Sequence, residues 1–380
     1  MGEVVMSKHD QKMYELAIQV LCKRLTIVEF SVLVNKSYRQ SKRIIKKVQA
    51  QGMKGVKHGN LGKVPINKTD PELEMDVLSL LKGKYYDFNL THFREMIETH
   101  EGIRAGKNII HRIATQNNLV KRPKRKSGKK IHSPRPRMPQ EGMLIQFDGS
   151  EHMWFGNFES DLIGGIDDAT GKVLDAEFFI GETSLHCMKV MNDIIEKNGV
   201  PHAFYLDKAG AFGKDDRDQD STQIGRALND IGCDIILAGS AQAKGKIERL
   251  WNTFQDRLIA ELRLYEIKTI PSANRFLKED FLPRFNDKFS YPARDKSKAY
   301  MPLEKDLKNI FCLKEKRKIS NGNVFSWNGN QYIIEGFKSY KFRTVNINTH
   351  YSGEVSFDIM GKPVTAGLYN PNPRTNFAAA

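Results

Sequence analysis

Between residues 140 and 263, short apolar runs and amphipathic segments follow one order, and this order constrains the fold more than any other feature. Apolar runs bounded by turn residues predict strands at 143–148, 161–167, 172–180, 203–206 and 233–237. Helical periodicity predicts helices near 184–198, 222–232 and 244–263. Three strands joined by tight turns, followed by alternating helices and strands, predict a mixed α/β sheet. The order β-β-β-α-β-α-β-α is that of the ribonuclease-H-like fold.

Three acidic residues stand where such a sheet would present them together. Asp148 ends the first predicted strand, Asp207 ends the fourth, and Glu248 lies early on the last helix. Hard divalent cations prefer carboxylate oxygens, and two such ions roughly 3.5–4 Å apart serve phosphodiester chemistry. An acid at a strand end is also often a turn former or a helix cap, so spacing alone leaves both interpretations open. No P-loop, G-x-S-x-G or H-E-x-x-H motif offers other chemistry.

Charge is distributed unevenly along the 380 residues, whose formal net charge is +15. Residues 1–137 carry +17, residues 138–290 carry −9, and residues 291–380 carry +7. Basic ends around an acidic middle suit a protein that binds a polyanion at both ends, although solvated surfaces would explain the same pattern.

The pattern of the basic N-terminal region, residues 1–137, predicts two groups of three helices. Residues 12–51 have helical spacing, with Thr26 as one helix cap, Ser37 or Ser41 as the next, and Gly52 as the end. A short helix, a tight turn and a basic helix form a helix-turn-helix module, whose last helix enters the major groove. Its candidate DNA-binding residues are Tyr38, Arg39, Lys42, Arg43 and Lys46.

A second group is predicted near Pro71–Lys82, Leu90–His100 and Gly106–Asn117, with Lys107 and Arg112 as candidate DNA contacts. The segment after it, 121–137, holds nine Lys and Arg, three Pro and no acid, which predicts an extended tether. Such a tether would track phosphates or remain a solvated linker. Its candidate DNA contacts are Lys121, Arg122, Lys124, Arg125 and Lys126.

Several motifs of this chain resemble the transposases of bacterial insertion sequences that have a retroviral-integrase-type DDE core, particularly the ISNCY-type group. The matching motifs are spread over most of the chain, and the most specific of them is Gln242-Ala243-Lys244-Gly245. The other matching runs are Gln146-Phe147-Asp148-Gly149-Ser150, Ile166-Asp167-Asp168-Ala169-Thr170-Gly171, Thr222–Leu228, Ser240–Arg249 and Gln255–Leu258.

The resemblance implies that Asp148, Asp207 and Glu248 are the catalytic, metal-binding triad, holding two Mg²⁺ ions that Mn²⁺ can replace. It implies cleavage at the terminal inverted repeats and transfer of the freed 3′-hydroxyl to target DNA, without ATP. Double-stranded DNA is the implied partner, with a homodimer or higher assembly on paired ends. Asp167 and Asp168 are expected to form a strand-end turn. Residues flanking Glu248 are expected to hold the DNA end, namely Lys244, Lys246, Arg249 and Asn252.

The C-terminal part predicts a helix over Ser272–Phe285, a basic connector, and then a small β-barrel of SH3-like type. Its predicted strands are Val324–Trp327, Asn330–Ile334, Arg343–Asn348 and Glu354–Ile359, with a hairpin turn at Asn328-Gly329. Lys338, Lys341 and Arg343 are possible DNA contacts there, while a barrel that dimerises or only packs is an alternative. The predicted domains are helix-turn-helix modules at 1–55 and 70–119, a linker at 120–139, a ribonuclease-H-like domain at 140–290, a connector at 291–318, a barrel at 319–365 and an irregular tail at 366–380.

The remaining features predict a cytoplasmic protein, and the resemblance implies a bacterial one that associates with the nucleoid. The four cysteines are scattered without CxxC spacing, so we expect them to be small buried apolar residues and expect no zinc site. No apolar run is long enough to span a membrane, and no secretory signal is evident. Two alternatives to a transposase stay open: a ribonuclease-H-like nuclease or resolvase, and a helix-turn-helix regulator with an inactive integrase-like domain.

Overall fold

The computed structural model describes residues 7–58, 60, 64–65, 68–120, 136–207, 222–237, 245–336 and 338–369. Two compact units divide the chain, Met1–Glu74 and Met75–Ala380. The helices are α1 (Lys8–Leu21), α2 (Ile27–Leu33), α3 (Tyr38–Gln51), α4 (Pro71–Lys82), α5 (Leu90–His100), α6 (Lys107–Gln116), α7 (Ser184–Asn198), α8 (Gln223–Asp230), α9 (Gly245–Leu264), α10 (Ile270–Phe276) and α11 (Leu282–Phe289).

The first unit contains the three predicted helices, and side chains fix where they begin. Ser7 and Thr26 each form a capping box, and the Ser37 hydroxyl accepts the backbone N–H of Gln40. Gly52 ends α3 in the left-handed region, at a φ of 59°. The three helices are confirmed, and their assignment as a helix-turn-helix stays a prediction.

The strands are β1 (Leu144–His152), β2 (Ser160–Asp167), β3 (Val173–Phe179), β4 (Ala203–Leu206), β5 (Asp234–Leu237), β6 (Leu313–Lys318), β7 (Val324–Trp327), β8 (Asn330–Ile334), β9 (Thr344–Thr349), β10 (Val355–Ile359), β11 (Lys362–Val364) and β12 (Ala366–Leu368). The first five form one mixed sheet in the order β3-β2-β1-β4-β5. The β1–β2 and β2–β3 pairs are antiparallel, whereas β1–β4 and β4–β5 are parallel. The predicted element order and mixed sheet are confirmed.

Helices cover both faces of this sheet. Residues 145 and 147 of β1 pack with α7 and α8 in one apolar cluster. The opposite face, which includes Leu162 and Ala176, packs against α9, α10 and α11 in a second cluster. Because side chains alternate along a strand, residues 144, 146 and 148 of β1 belong to the α9 face.

The outer edge of β3 is closed by two asparagine side chains. Asn274 and Asn286 each donate to one carbonyl oxygen of β3 and accept one of its backbone N–H groups, at Phe178 and Val173 respectively, over 2.7–3.1 Å. These amides satisfy backbone groups that an exposed edge would offer to another chain. One helix was predicted over this region; instead α10 and α11 are joined by a π-helical segment, Leu277–Phe281.

Helix α5 is attached to α9 and α11 by buried charges. His92 Nε2 lies 2.9 Å from Glu261 Oε1, and both side chains are only 2% exposed. Arg284 donates to the other oxygen of Glu261 at 2.6 Å. Glu95 pairs with Arg257 at 2.7 Å and also with Lys288. The second group of helices therefore packs on the helix that carries Glu248.

The C-terminal strands form two sheets around one apolar cluster, in the orders β11-β10-β9-β6 and β12-β8-β7. The predicted SH3-like barrel is not confirmed, because these described strands do not close into a barrel. Strand β6 lies inside the predicted connector and β12 inside the predicted irregular tail. All five residues of the run Lys314–Lys318 are charged, so its pattern did not indicate a strand, yet charged residues are common on edge strands.

Three of the four cysteines are buried as predicted, but Cys22 is exposed at the end of α1. A thiol there follows the last helical turn, where no core covers it. In the described part of the chain, no helix has both the length and the apolar character needed to cross a membrane.

Glu261→Gln is expected to lower the free energy of unfolding by about 3 kcal/mol at pH 7, because it removes one partner of a buried ionic cluster. Burial opposes the charged form of Glu261, but His92 and Arg284 outweigh it and hold its pKa below the usual range. That stabilisation is present above the unfolded-state pKa and disappears as the pH falls through the folded-state pKa. Denaturant unfolding should therefore show that the variant and the unmodified protein differ less in unfolding free energy in acid than at pH 7. The exposed Glu266→Gln is the control, and a loss that is equally large in acid and at pH 7 would contradict the assignment.

Candidate active site

Asp148 and Asp207 lie at equivalent positions of two neighbouring parallel strands. The pairing of β1 with β4 aligns Leu144 with Ala203 and Gln146 with Tyr205. Continued for two more residues, the same register would set Asp148 opposite Asp207, which directly follows β4. Parallel strands lie about 4.8 Å apart, so such a continuation would bring the two residues to neighbouring positions.

Glu248 lies on the first turn of α9, the helix that covers this face. Its neighbour Ile247 is fully buried against the sheet, while Glu248 is exposed. Among the residues that the structure describes, no three His, Cys, Asp or Glu side chains are gathered as a metal site. The structure thus puts Asp148 and Asp207 on paired strands and Glu248 on the first turn of the helix that covers the sheet, and their assignment as a metal-binding triad stays a prediction.

A buried hydrogen-bond network ties that helix turn to β1. The Gln146 side chain donates to Asp168 Oδ1 at 2.9 Å and accepts the backbone N–H of Ile247 at 3.3 Å. Lys246 Nζ lies 2.9 Å from the same Asp168 oxygen, whose residue is fully buried. Gln146 is two residues before Asp148, and Lys246 is two residues before Glu248. The network therefore fixes the distance between the two chain segments that carry these acids.

The neighbouring Asp167 forms the turn that the sequence predicted. Its Oδ1 accepts the backbone N–H and the hydroxyl of Thr170, both at 2.7 Å, and its Oδ2 accepts the Gly142 N–H at 2.9 Å. Burial raises the pKa of Asp167 despite these bonds. The sequence did not reveal the second role, in which Asp168 anchors α9.

A fourth acid, Glu182, lies beside Gly149 of β1 and was missed in the sequence. A Cβ atom on Gly149 would lie 2.3 Å from Glu182 Oε2, so a side chain at this position would force the carboxylate to shift. Burial raises the pKa of Glu182, and the charges of Asp148, Asp161 and Asp207 raise it further. The signal available in the sequence was a glycine within a strand directly after an acid, which often marks a close approach.

The candidate DNA contacts of the first unit share one surface. Tyr38, Arg39, Lys42, Arg43 and Lys46 are all exposed on α3. Arg39, Arg43 and Lys46 line a groove of about 860 Å³ together with residues of α1 and the turn after α3. Lys42 lies over the Tyr38 ring, 5.6 Å from its centre.

The other candidate contacts have different surroundings. Lys107 is exposed, and Arg112 donates to Gln116 one turn later on α6. Arg249 and Asn252 are exposed on α9 and donate to the carbonyls of Gly245 and Glu248. Lys246 is paired with Asp168. The remaining candidates lie outside the described residues: Lys121, Arg122, Lys124, Arg125, Lys126 and Lys244.

Sequence comparison finds two curated relatives, while no family model matches the chain. The putative transposase y4bF of Sinorhizobium fredii is 28% identical over 391 residues, which cover 100% of this chain and 85% of that protein. The transposase for insertion sequence IS1202 of Streptococcus pneumoniae is 29% identical over 375 residues, covering 87% of this chain and 80% of that protein. The resemblance to transposases is therefore confirmed across the chain.

Comparison with solved structures gives weaker similarity. The catalytic core of HTLV-2 integrase, solved with magnesium, matches 36% of this chain and 83% of that chain, with a TM-score of 0.29 and 14% identity. A simian T-cell lymphotropic virus intasome in complex with the PP2A subunit B56 gamma matches 76% of this chain and 99% of that chain, with a TM-score of 0.35 and 12% identity. Both TM-scores are too low to establish a shared fold.

Gln146→Leu is expected to lower the free energy of unfolding by about 1–3 kcal/mol, since it leaves the Ile247 N–H and Asp168 Oδ1 without this partner. Urea unfolding would measure the change. Gln255→Leu is a matched control, because Gln255 donates a single 3.3 Å bond to Ser150 Oγ in the same helix–sheet layer. Equal losses for the two variants would show that Gln146 has no special anchoring role.

Proposed function

We propose that this chain is a DNA transposase that binds the terminal inverted repeats of its insertion sequence, cuts the ends and joins the freed 3′-hydroxyl to target DNA. Similarity to transposases across the chain supports the reaction class. The observation that supports the chemistry is the β1–β4 register, whose continuation by two residues would set Asp148 beside Asp207.

The chemical type of the three predicted ligands suits divalent cations. Asp148, Asp207 and Glu248 offer only carboxylate oxygens, the ligands that Mg²⁺ and Mn²⁺ prefer. Two bound ions would supply Lewis-acid activation of the attacking oxygen and stabilise the leaving oxygen. We assign Asp148 and Asp207 as the pair that holds the ions and Glu248 as the third ligand. The anchoring of α9 by Gln146 would limit how far Glu248 can move from the pair.

The exposed side of the first turns of α9 is proposed to hold the DNA end. Arg249 and Asn252 lie one and four residues after Glu248 and are exposed, so they can reach a phosphate near the carboxylates. Lys246 would act indirectly, since its ammonium group neutralises Asp168 beneath the helix. The acidic sheet concentrates cations, and the basic side chains around it offset repulsion from DNA.

End recognition is proposed for the helical groups. The groove beside α3 is lined by basic side chains and is open to solvent, which suits a helix that enters the major groove. Lys107 and Arg112 of α6 are proposed to make a second set of contacts. Because a transposase joins two ends, we also propose at least a dimer on paired ends, which mass measurement of the DNA complex would test.

Asp148→Asn and Glu248→Gln are each expected to reduce end cleavage by on the order of 100-fold or more, because each removes a charged ligand worth several kcal/mol. The assay would use labelled terminal-repeat DNA with Mg²⁺ or Mn²⁺, and Mn²⁺ binding would be measured separately by calorimetry. The exposed Asp287→Asn and Glu266→Gln serve as controls of the same chemistry. Full cleavage by either triad variant would refute the assignment.

The products of the same assay separate the proposed function from its alternatives. Joining of the cut end to a plasmid identifies a transposase. Cutting without joining identifies a nuclease or resolvase, and specific binding without cutting identifies a regulator.

Arg39→Ala with Arg43→Ala is expected to weaken binding to terminal-repeat DNA by about tenfold or more, because two groove cations are lost. Fluorescence anisotropy at several salt concentrations would measure the affinity and the salt slope. Lys12→Ala with Arg24→Ala removes the same charge elsewhere on this unit. Equal weakening by both pairs would leave only a general charge effect and contradict reading by α3.

A further inference from the structure

Two large apolar side chains are exposed at one end of the C-terminal β-structure. Phe342 is 80% exposed and precedes β9, and Met360 is 79% exposed in the turn between β10 and β11. The pairing of Asn346 with Asp358 places both at the same end of the sheet. Arg343 Nη1 contacts Met360 Sδ at 3.4 Å. We call Phe342 and Met360 the apolar tip.

Both residues of the apolar tip are held in a backbone conformation that large side chains avoid. Their φ values are 65° for Phe342 and 52° for Met360, in the left-handed region. Hydrogen bonds fix the first position, since Phe342 N–H donates to the Ile319 carbonyl at 3.1 Å and Ile319 N–H donates to the Arg343 carbonyl at 2.9 Å. Such a conformation is unfavourable for a large side chain and persists where the surroundings impose it, commonly at functional sites.

A second hairpin of the same region has the residues that its turn conformation favours. Asn328-Gly329 joins β7 to β8 as a two-residue turn, with φ values of 48° and 76°. Met360-Gly361 joins β10 to β11 in the same way, with φ values of 52° and 77°. Asn-Gly is the preferred pair for a turn with two positive φ values, and Met is not. Methionine at this turn is therefore explained neither by backbone preference nor by burial.

The surroundings of the apolar tip are basic. Lys341 Nζ lies 4.6 Å from the centre of the Phe342 ring. Lys318, Arg343 and Lys362 are exposed at the same end of the sheet. The nearby carboxylate of Asp358 accepts bonds from Asn346, Asn348 and the Gly361 N–H, so it is engaged within the fold. A partner of this surface must therefore combine negative charge with apolar surface.

We infer that the apolar tip inserts between base pairs of duplex DNA in the minor groove, while the surrounding cations bind the phosphates on either side. Apolar wedges of this kind unstack a base step and bend the duplex, largely without regard to sequence. This inference rests on the proposed function and adds to it an apolar wedge that suits target DNA, which the basic residues alone did not indicate.

The test compares Phe342→Asn with Met360→Asn, singly and together, in the full-length protein. Asparagine tolerates the left-handed region, so each variant should keep or raise the midpoint of thermal unfolding. For a random-sequence duplex, the double variant should lose about fivefold or more in affinity and lose DNA bending, measured by anisotropy and by end-to-end energy transfer. The controls are Leu368→Asn and Met75→Asn, whose side chains are both 70% exposed.

Unchanged affinity and bending in a folded double variant would overturn the inference, as would equal losses in the controls. Loss of binding to anionic phospholipid vesicles with DNA binding intact would instead identify a membrane surface. A change from dimer to monomer with DNA binding intact would identify a contact between copies. Bending without any cleavage of terminal repeats would leave the inference standing and count against the proposed function.

Discussion

The central constraint in this molecule is the hydrogen-bond network that joins β1 to the start of α9. Gln146 and Ile247 are about a hundred residues apart in the chain, yet one side-chain amide connects the strand that leads to Asp148 with the helix turn that carries Glu248. Asp168 completes the network from the β2–β3 turn, with Lys246 as its counter-charge. An uncompensated buried carboxylate is costly, so this cluster specifies one position for α9 on the sheet. The relation between sheet and helix, and with it the geometry of the candidate site, depends on that position.

Other surfaces of the sheet are occupied by the chain itself. The side-chain amides of Asn274 and Asn286 bond to the β3 edge as a neighbouring strand would, which removes a site for strand addition. The α5 helix contacts α9 through the cluster around Glu261, whose burial is tolerable only because two basic side chains share its oxygens. These contacts make the second group of helices part of the larger compact unit. Helix α6 packs on α5 and therefore belongs to the same unit as the helix that carries Glu248.

Local rules hold through most of the chain and fail in a few informative places. Helix caps, hairpin turns and alternation agree with the tertiary structure at Thr26, Ser37 and Asn328. They fail at Met360 and Phe342, where large apolar residues occupy left-handed turn positions in solvent. They fail differently at Gly149, where a strand lacks a side chain because the Glu182 carboxylate fills that space. Such departures from local preference are expected where a surface or a site has a demand beyond folding.

The sequence alone determined the local elements, because caps and periodicity act within a few residues: the Leu90–His100 helix and the strands at Val324–Trp327 and Asn330–Ile334 have the predicted bounds. The sequence also indicated which acidic residues are candidate metal ligands, because apolar runs show where strands end. Only the tertiary structure decided which residues of β1 and β4 pair, because strand register depends on contacts between distant segments. It alone showed that Glu182 lies beside Gly149, that Lys246 pairs with Asp168, and that charged Lys314–Lys318 forms an edge strand. Contacts between residues far apart in the chain leave no periodic signal, and burial depends on the assembled core.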